Sequence, residues 1–102
     1  MSGRIKIFNG QIILKNQIQS GGCLLIENGK IVDVPAIDVD FPDAELVDAQ
    51  GNYISPGFID IHIHGGGGSD FMDGTVEGFL QIAQTHAKHG TTSMLPTTLT
   101  CE

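Results

Sequence analysis

The chain has 102 residues, of which 40% are hydrophobic and 17% charged, and this profile is typical of a globular domain rather than a disordered segment. Twelve acidic residues against five scattered basic ones give a formal net charge of −7. Because nucleic-acid binding depends on clustered cations that neutralise phosphates, we expect no nucleic-acid partner.

The N-terminus carries no apolar segment of signal-peptide length, and the longest apolar runs, residues 12–14 and 24–26, are too short to cross a bilayer. Cys23 and Cys101 lie far apart without C-x-x-C spacing, which indicates neither a zinc ribbon nor a disulfide framework. We therefore expect a soluble, cytoplasmic protein without a membrane partner. Neither cysteine is assigned a catalytic role, and Cys23 is interpreted as a packed small hydrophobe.

Residues 1–54 are predicted to form a β-rich part made of short strands. Asn-Gly pairs at 9–10 and 28–29 each separate two β-prone runs, and we predict a hairpin at each because both residue types tolerate positive φ. Residues 35–48 alternate apolar and acidic side chains, which fits either an edge strand or an exposed loop. The boundary to the second part is placed near Ser55.

Residues 58–64 predict a strand with two different faces. Isoleucine occupies every odd position, and the even positions include Asp60, His62 and His64. Alternate side chains of a strand point to opposite faces. We therefore expect the isoleucines to pack against the protein and the other face to carry chemistry.

A βαβ unit is predicted from this strand onward. Apolar side chains recur at helical spacing over residues 76–89, with Thr75 as the N-cap and Gly90 as a left-handed C-cap. Residues 91–95 are apolar and β-branched, which predicts a second buried strand. Strand, glycine loop, helix and strand in this order join parallel strands.

His62 and His64 are the candidate metal ligands. Two imidazoles on one strand face can reach a single divalent ion, but a bare H-x-H pair is equally explained by two hydrogen-bonded polar side chains. The pair precedes a glycine turn at the C-terminal end of a strand, where parallel barrels and open α/β sheets place their active sites, and this favours the metal site. Asp60 is the candidate to orient a histidine, and its alternative is a polar residue that faces a neighbouring element.

The glycine run after the histidines is a candidate substrate loop formed by Gly65, Gly66, Gly67 and Gly68. Glycine amides without shielding side chains let a substrate approach the backbone, although a flexible turn would use the same residues. The residues after the run fit neither a P-loop nor a dinucleotide fingerprint.

His86 and His89 are three residues apart on the predicted helix. A crossover helix lies outside a barrel, and a histidine near a helix C-terminus interacts favourably with the helix dipole. We therefore assign both histidines structural or surface roles.

The segment Ser55–His64, SPGFIDIHIH, resembles the start of the first barrel strand in the amidohydrolase superfamily, and His64–Asp73 and His89–Thr98 resemble the N-acetylglucosamine-6-phosphate deacetylase family. The resemblance implies an α/β fold: a small β-sandwich portion at 1–54, then the first βαβ unit of a (β/α)8 TIM-type barrel at 55–102. Because a complete barrel needs about 250 residues, we expect an N-terminal fragment of a longer enzyme.

The chemistry that the resemblance implies is hydrolysis of N-acetylglucosamine 6-phosphate to glucosamine 6-phosphate and acetate, in amino-sugar catabolism. A divalent metal, expected to be zinc, activates water in such enzymes. His62 and His64 are the family's ligand positions within this sequence, and the remaining ligands and the catalytic aspartate are expected beyond Glu102. The isolated chain is expected to be inactive, and one metal ion or two stays open.

Two other functions stay open. The first is a dihydroorotase-like or dipeptidase-like amidohydrolase that acts on a cyclic amide or a dipeptide; such relatives share H-x-H but should lack the HGTT-x-x-LPTT stretch. The second is a non-catalytic, self-associating piece, because missing barrel strands would expose Ile59, Ile61, Ile63 and residues 92–95 beside open strand edges. We therefore expect the chain to form a homo-oligomer. The small-molecule partner that the resemblance implies is a phosphosugar.

Overall fold

Strands dominate the chain, and the described residues contain a single α-helix. The computed structural model describes residues 2–100, so Cys101 lies outside the described residues. Contacts divide the chain into two compact units, one ending at Pro56 and the other beginning at Gly57. As predicted, the chain is rich in β-strands and has a helix in its second half. The described residues do not contain a complete barrel.

Seven short strands form two sheets in the first unit. They are β1 (Arg4–Phe8), β2 (Gln11–Ile13), β3 (Ile18–Ser20), β4 (Cys23–Glu27), β5 (Lys30–Asp33), β6 (Glu45–Asp48) and β7 (Tyr53–Ile54). One sheet has the order β5-β4-β1-β6 and the other the order β3-β2-β7. The most buried apolar side chains are Ile12, Cys23 and Leu25, and Cys23 is fully buried, as its interpretation as a packed hydrophobe requires.

The two Asn-Gly pairs of the first unit adopt different structures. Asn28 and Gly29 have φ of 51° and 80° and join β4 to β5 as an antiparallel hairpin, as predicted. The hairpin predicted at Asn9-Gly10 is wrong, because β1 pairs with β4 and β6 while β2 pairs with β3 and β7. Asn9 keeps a positive φ of 55°, but both edges of β1 are already occupied, so the chain passes to the other sheet.

For the acidic segment 35–48, the sequence fits either an edge strand or an exposed loop, and the segment contains both. Residues 35–44 form an irregular loop, so the alternation of apolar and acidic residues there does not make a strand. β6 follows as an exposed edge strand parallel to β1. The loop is fastened by β1, since Lys6 Nζ donates to the Val39 carbonyl at 2.6 Å and pairs with the Asp38 carboxylate.

The second unit contains two longer parallel strands that are joined by a helix. Its elements are β8 (Phe58–Ile63), β9 (Gly65–Gly66), β10 (Ser69–Asp70), a 3₁₀ turn (Phe71–Asp73), α1 (Val76–Ala87) and β11 (Thr91–Pro96). β8 and β11 pair in parallel, so the predicted strand, helix and strand are present in the predicted order. β9 and β10 add a small antiparallel hairpin that the sequence did not predict as strands. Across residues 2–100, no helix combines the length and the apolar character that a membrane crossing needs.

The helix begins as predicted and ends earlier. The Thr75 side chain accepts a hydrogen bond from the Gly78 N–H at 3.0 Å, which confirms it as the N-cap. Helical structure ends at Ala87 with Lys88 as a right-handed C-cap, so the prediction of Gly90 as the C-cap is wrong. Gly90 has a positive φ of 95°, but it follows tighter i to i−3 bonds that already close the last turn.

The core of the second unit is small. Ile63, Phe71 and Ile82 form it, with Met94 packed against them. The prediction that β11 is buried is wrong within these residues, because its side chains are half-buried at two positions and exposed at the others. One helix cannot cover a whole sheet face, and Ile59 and Ile61 are each 72% exposed, so of the three isoleucines on the predicted packing face Ile63 alone packs.

Candidate metal centre

The two candidate ligands lie side by side at the C-terminal end of β8. Nε2 of His62 and Nε2 of His64 are 3.1 Å apart. The ring centroids are 5.0 Å apart with an interplanar angle of 65°. His62 is exposed and His64 half-buried, so neither residue is enclosed by the described part of the chain. The structure therefore brings the predicted pair together.

The separation of the two nitrogens fits a shared metal ion. Two nitrogens bound to one tetrahedral zinc at 2.0–2.1 Å would be about 3.3–3.4 Å apart, close to the observed 3.1 Å. The same distance also fits a hydrogen bond in which one neutral imidazole donates to the other. Within residues 2–100, no group of three or more His, Cys, Asp or Glu side chains is placed to hold a metal. By its separation, the pair could provide two donors to one metal ion.

Each residue of the H-x-H segment has a main-chain atom in a hydrogen bond, with either a side chain or the main chain as its partner. The His62 N–H donates to Oδ1 of Asp60 at 3.1 Å. The His64 carbonyl accepts from the Phe71 N–H at 2.9 Å. Between them, Ile63 exchanges two bonds with Thr97. The bond that the structure gives Asp60 is to the main chain of His62, and its role of orienting an imidazole stays a prediction.

The glycine run packs closely on α1. Gly67 and Gly68, with φ of 61° and 87°, form the two-residue turn between β9 and β10, and positive φ at both positions is the type I′ pattern. A Cβ on Gly66 would lie 2.7 Å from Nε2 of His86, and a Cβ on Gly67 would collide with Thr85. Close packing on a helix therefore disfavours a side chain at these two positions, and the substrate-loop role stays a prediction.

His86 fastens this hairpin to the helix. It is half-buried, and its Nε2 lies 3.1 Å from the carbonyl oxygen of Gly65. Since a carbonyl only accepts, the imidazole donates. This contact confirms a structural role for His86, whereas His89 is exposed beyond the end of the helix.

Sequence reasoning missed Thr97 as a support of the site. Its side chain and main chain both bond to Ile63, which is 34 residues away. No local pattern signals this contact, because the hydroxyl accepts from an N–H of a strand that is far away in sequence.

Both the sequence and the fold are similar to those of N-acetylglucosamine-6-phosphate deacetylases. No family model matches the chain. The N-acetylglucosamine-6-phosphate deacetylase of Bacillus subtilis (strain 168) is 36% identical over 92 residues, which are 89% of this chain and 23% of that protein. The dihydroorotase of Aquifex aeolicus (strain VF5) is 40% identical over 62 residues, which are 60% of this chain and 14% of that protein.

A solved structure agrees with the first of these relatives. The crystal structure of N-acetylglucosamine-6-phosphate deacetylase from Pasteurella multocida matches with a TM-score of 0.83 and 30% identity, and the match covers 91% of this chain and 25% of that one. The chain thus spans about a quarter of the length of the deacetylases that it matches. The resemblance seen in the sequence is confirmed: the chain is related to the N-terminal part of N-acetylglucosamine-6-phosphate deacetylases, within the amidohydrolase superfamily.

Proposed function

We propose that this chain supplies the first metal-binding residues of an enzyme that hydrolyses N-acetylglucosamine 6-phosphate to glucosamine 6-phosphate and acetate. The observation that carries the proposal is the pair formed by His62 and His64, whose Nε2 atoms lie 3.1 Å apart at the end of the first parallel strand. The names of the related proteins from Bacillus subtilis and Pasteurella multocida support the choice of substrate.

The expected metal is divalent, as the relationship to amidohydrolases implies, and we propose zinc. Imidazole nitrogen suits zinc, and two histidines leave two of its usual four positions for other donors. When bound, the metal polarises the amide carbonyl and activates water. His62 and His64 would hold it through Nε2, while Asp60 holds the main chain of His62 through its N–H. The other ligands and the catalytic aspartate are proposed to come from outside these residues.

The fold supports a barrel as the complete scaffold. We propose that residues 1–54 belong to a β-sandwich portion and that residues 55–102 begin a (β/α)8 barrel. The support is the pattern of exposed apolar side chains in the second unit, with Ile59 and Ile61 at 72% and Leu95 at 59%. Further barrel strands, or a second copy in a homo-oligomer, would cover these side chains. A cytoplasmic location belongs to the same proposal.

The activity test uses a chimera. Residues 1–102 replace the matching N-terminal segment of the Bacillus subtilis deacetylase, and acetate release from N-acetylglucosamine 6-phosphate is measured with zinc present. We expect the chimera to be active and the chain alone to be inactive. A double variant, His62→Ala with His64→Ala, should lose saturable zinc binding at the pair. His89→Ala is the matched control, because it removes an exposed histidine that lies outside the pair.

Either of two results would contradict the proposal. One is a folded chimera, verified by circular dichroism, that releases no acetate while the parent enzyme does. The other is unchanged zinc binding in the double variant. Activity of the isolated chain that disappears in the double variant would overturn the expectation that the chain is inactive alone.

A dihydroorotase-type activity is the second candidate, and the Aquifex aeolicus relative at 40% identity favours it. That match covers 60% of the chain, against 89% for the Bacillus subtilis deacetylase, so we rank it second. A second chimera, in which residues 1–102 of this chain replace the matching segment of that dihydroorotase, is compared with the deacetylase chimera. Function in the dihydroorotase chimera alone would favour the second candidate.

A further inference from the structure

The ladder between β8 and β11 is irregular beside the histidine pair. Met94 pairs with Asp60 and Pro96 with Ile63, so two steps along β11 correspond to three steps along β8. The extra residue of β8 falls between Asp60 and Ile63, the stretch that contains His62. Pro96 has no N–H, so it cannot donate to the ladder at this point.

The Thr97 hydroxyl occupies the gap that this irregularity leaves. Thr97 Oγ1 accepts a hydrogen bond from the Ile63 N–H at 3.2 Å and donates to the Leu95 carbonyl at 3.2 Å. In a regular ladder an N–H donates directly to a carbonyl of the neighbouring strand. Here the hydroxyl relays that bond, and the Thr97 N–H also donates to the Ile63 carbonyl at 2.7 Å.

Ile63 is therefore fixed at its N–H, its carbonyl and its side chain, which is 5% exposed within the small core. His62 and His64 are its two neighbours along the chain, and their rings project from the main chain that Ile63 fixes. We infer that Thr97 is a positioning residue that sets the separation of the two imidazoles through Ile63 without touching either ring. The part of this inference that concerns metal binding rests on the proposed function.

If Thr97 only stabilised the end of the strand, its replacement would leave the positions of the two imidazole rings unchanged. The relay requires a hydroxyl that accepts one bond and donates another, and a methyl group in its place leaves the Ile63 N–H and the Leu95 carbonyl unpaired. Thr97→Val keeps the branched shape and removes the hydroxyl, whereas Thr97→Ser keeps the hydroxyl. Thr98→Val makes the same chemical change at the exposed neighbouring threonine.

The experiment records the ring nitrogen signals of His62 and His64 by NMR in the 102-residue chain, first without metal and then during zinc titration. We expect Thr97→Val to change the ring signals of both histidines before metal is added and to weaken zinc binding by about 10-fold or more, as loss of a residue that orients metal ligands does. Thr97→Ser and Thr98→Val should resemble the unmodified chain.

Two results overturn the inference: metal-free ring signals of folded Thr97→Val that match those of the unmodified chain, or equal changes in Thr97→Val and Thr97→Ser. Should Thr97→Val fail to fold, hydrogen exchange in the unmodified chain decides, because an Ile63 amide that exchanges as fast as an open strand edge contradicts the relay. The metal-free comparison tests positioning by itself. Zinc that leaves the ring signals of the unmodified chain unchanged would instead refute the proposed metal site.

Discussion

The two units use their polar side chains for different purposes. In the first unit, Arg4 and Lys6 on β1 reach carbonyl oxygens of the loop at 35–44, and their hydrogen bonds hold that loop. In the second unit, side chains from near and distant positions bond to main-chain atoms at and beside the histidine pair. We therefore expect the geometry of the candidate metal centre to be set within the second unit, by supports that hold the backbone rather than the rings.

The largest effect that tests this comparison comes from the two cores. Ile82 is fully buried against Ile63 in the second unit, and Ile12 is 3% exposed in the first. Truncating either to alanine should lower the free energy of unfolding by about 2–5 kcal/mol, measured by urea denaturation. Ile82→Ala should also change the ring signals of the histidine pair, whereas Ile12→Ala should leave them unchanged. Equal changes in both variants would show that the site is not set within its own unit.

An intermediate effect is expected at the hairpin. His86→Leu removes the donor to the Gly65 carbonyl and should cost about 0.5–1.5 kcal/mol of stability. His86→Gln places an amide N–H near the former Nε2 and serves as the matched control. Hydrogen exchange at the amides of β9 and β10 should accelerate in the leucine variant and stay slow in the glutamine variant. Equal exchange in all three proteins would remove His86 from the supports of the site.

The smallest effect belongs to the first unit and depends on pH. The hydrogen bond to Asp38 raises the pKa of Lys6 above its ordinary value of 10.5 and outweighs the opposing effect of burial. Because the folded-state pKa is the higher one, the stabilisation is complete below 10.5 and is lost as pH rises through the raised pKa.

The urea midpoint should therefore fall less between about pH 9 and pH 11.5 in Lys6→Gln than in the unmodified chain. Lys15→Gln, at an exposed lysine of the same unit, should show the unmodified dependence. The histidine ring signals should be the same in Lys6→Gln and the unmodified chain. A change in them would show that the loop contacts of the first unit reach the site.

Local patterns predicted local features of the fold. Thr75 as a cap, the hairpin at 28–29 and the shared face of His62 and His64 each depend on neighbours within a few residues, and the structure has all three. The hairpin predicted at 9–10 is absent because β1 takes a parallel partner, β6, whose paired residues lie 40 positions further along the chain. No pattern around residue 9 contains that information.

The supports of the candidate site were beyond sequence reasoning for the same reason. The bond from Ile63 to Thr97 spans 34 residues, and that from His86 to Gly65 spans 21. A threonine in a Thr-rich stretch and a histidine on a helix both look replaceable until the ladder irregularity and the hairpin position are known. The proximity of the two candidate ligands was predictable because it needs one strand, whereas their supports need the register between elements.

The glycine hairpin has a consequence for inherited variation. Every missense change that a single nucleotide can make in a glycine codon adds a Cβ, so no such change is neutral in shape. A Cβ on Gly65 would collide with the neighbouring strand of the hairpin, one on Gly66 with His86 and one on Gly67 with Thr85, while Gly68 has open space and a left-handed backbone. Four successive glycine codons would thus differ in the cause of the harm: a collision at the first three and backbone strain alone at the fourth.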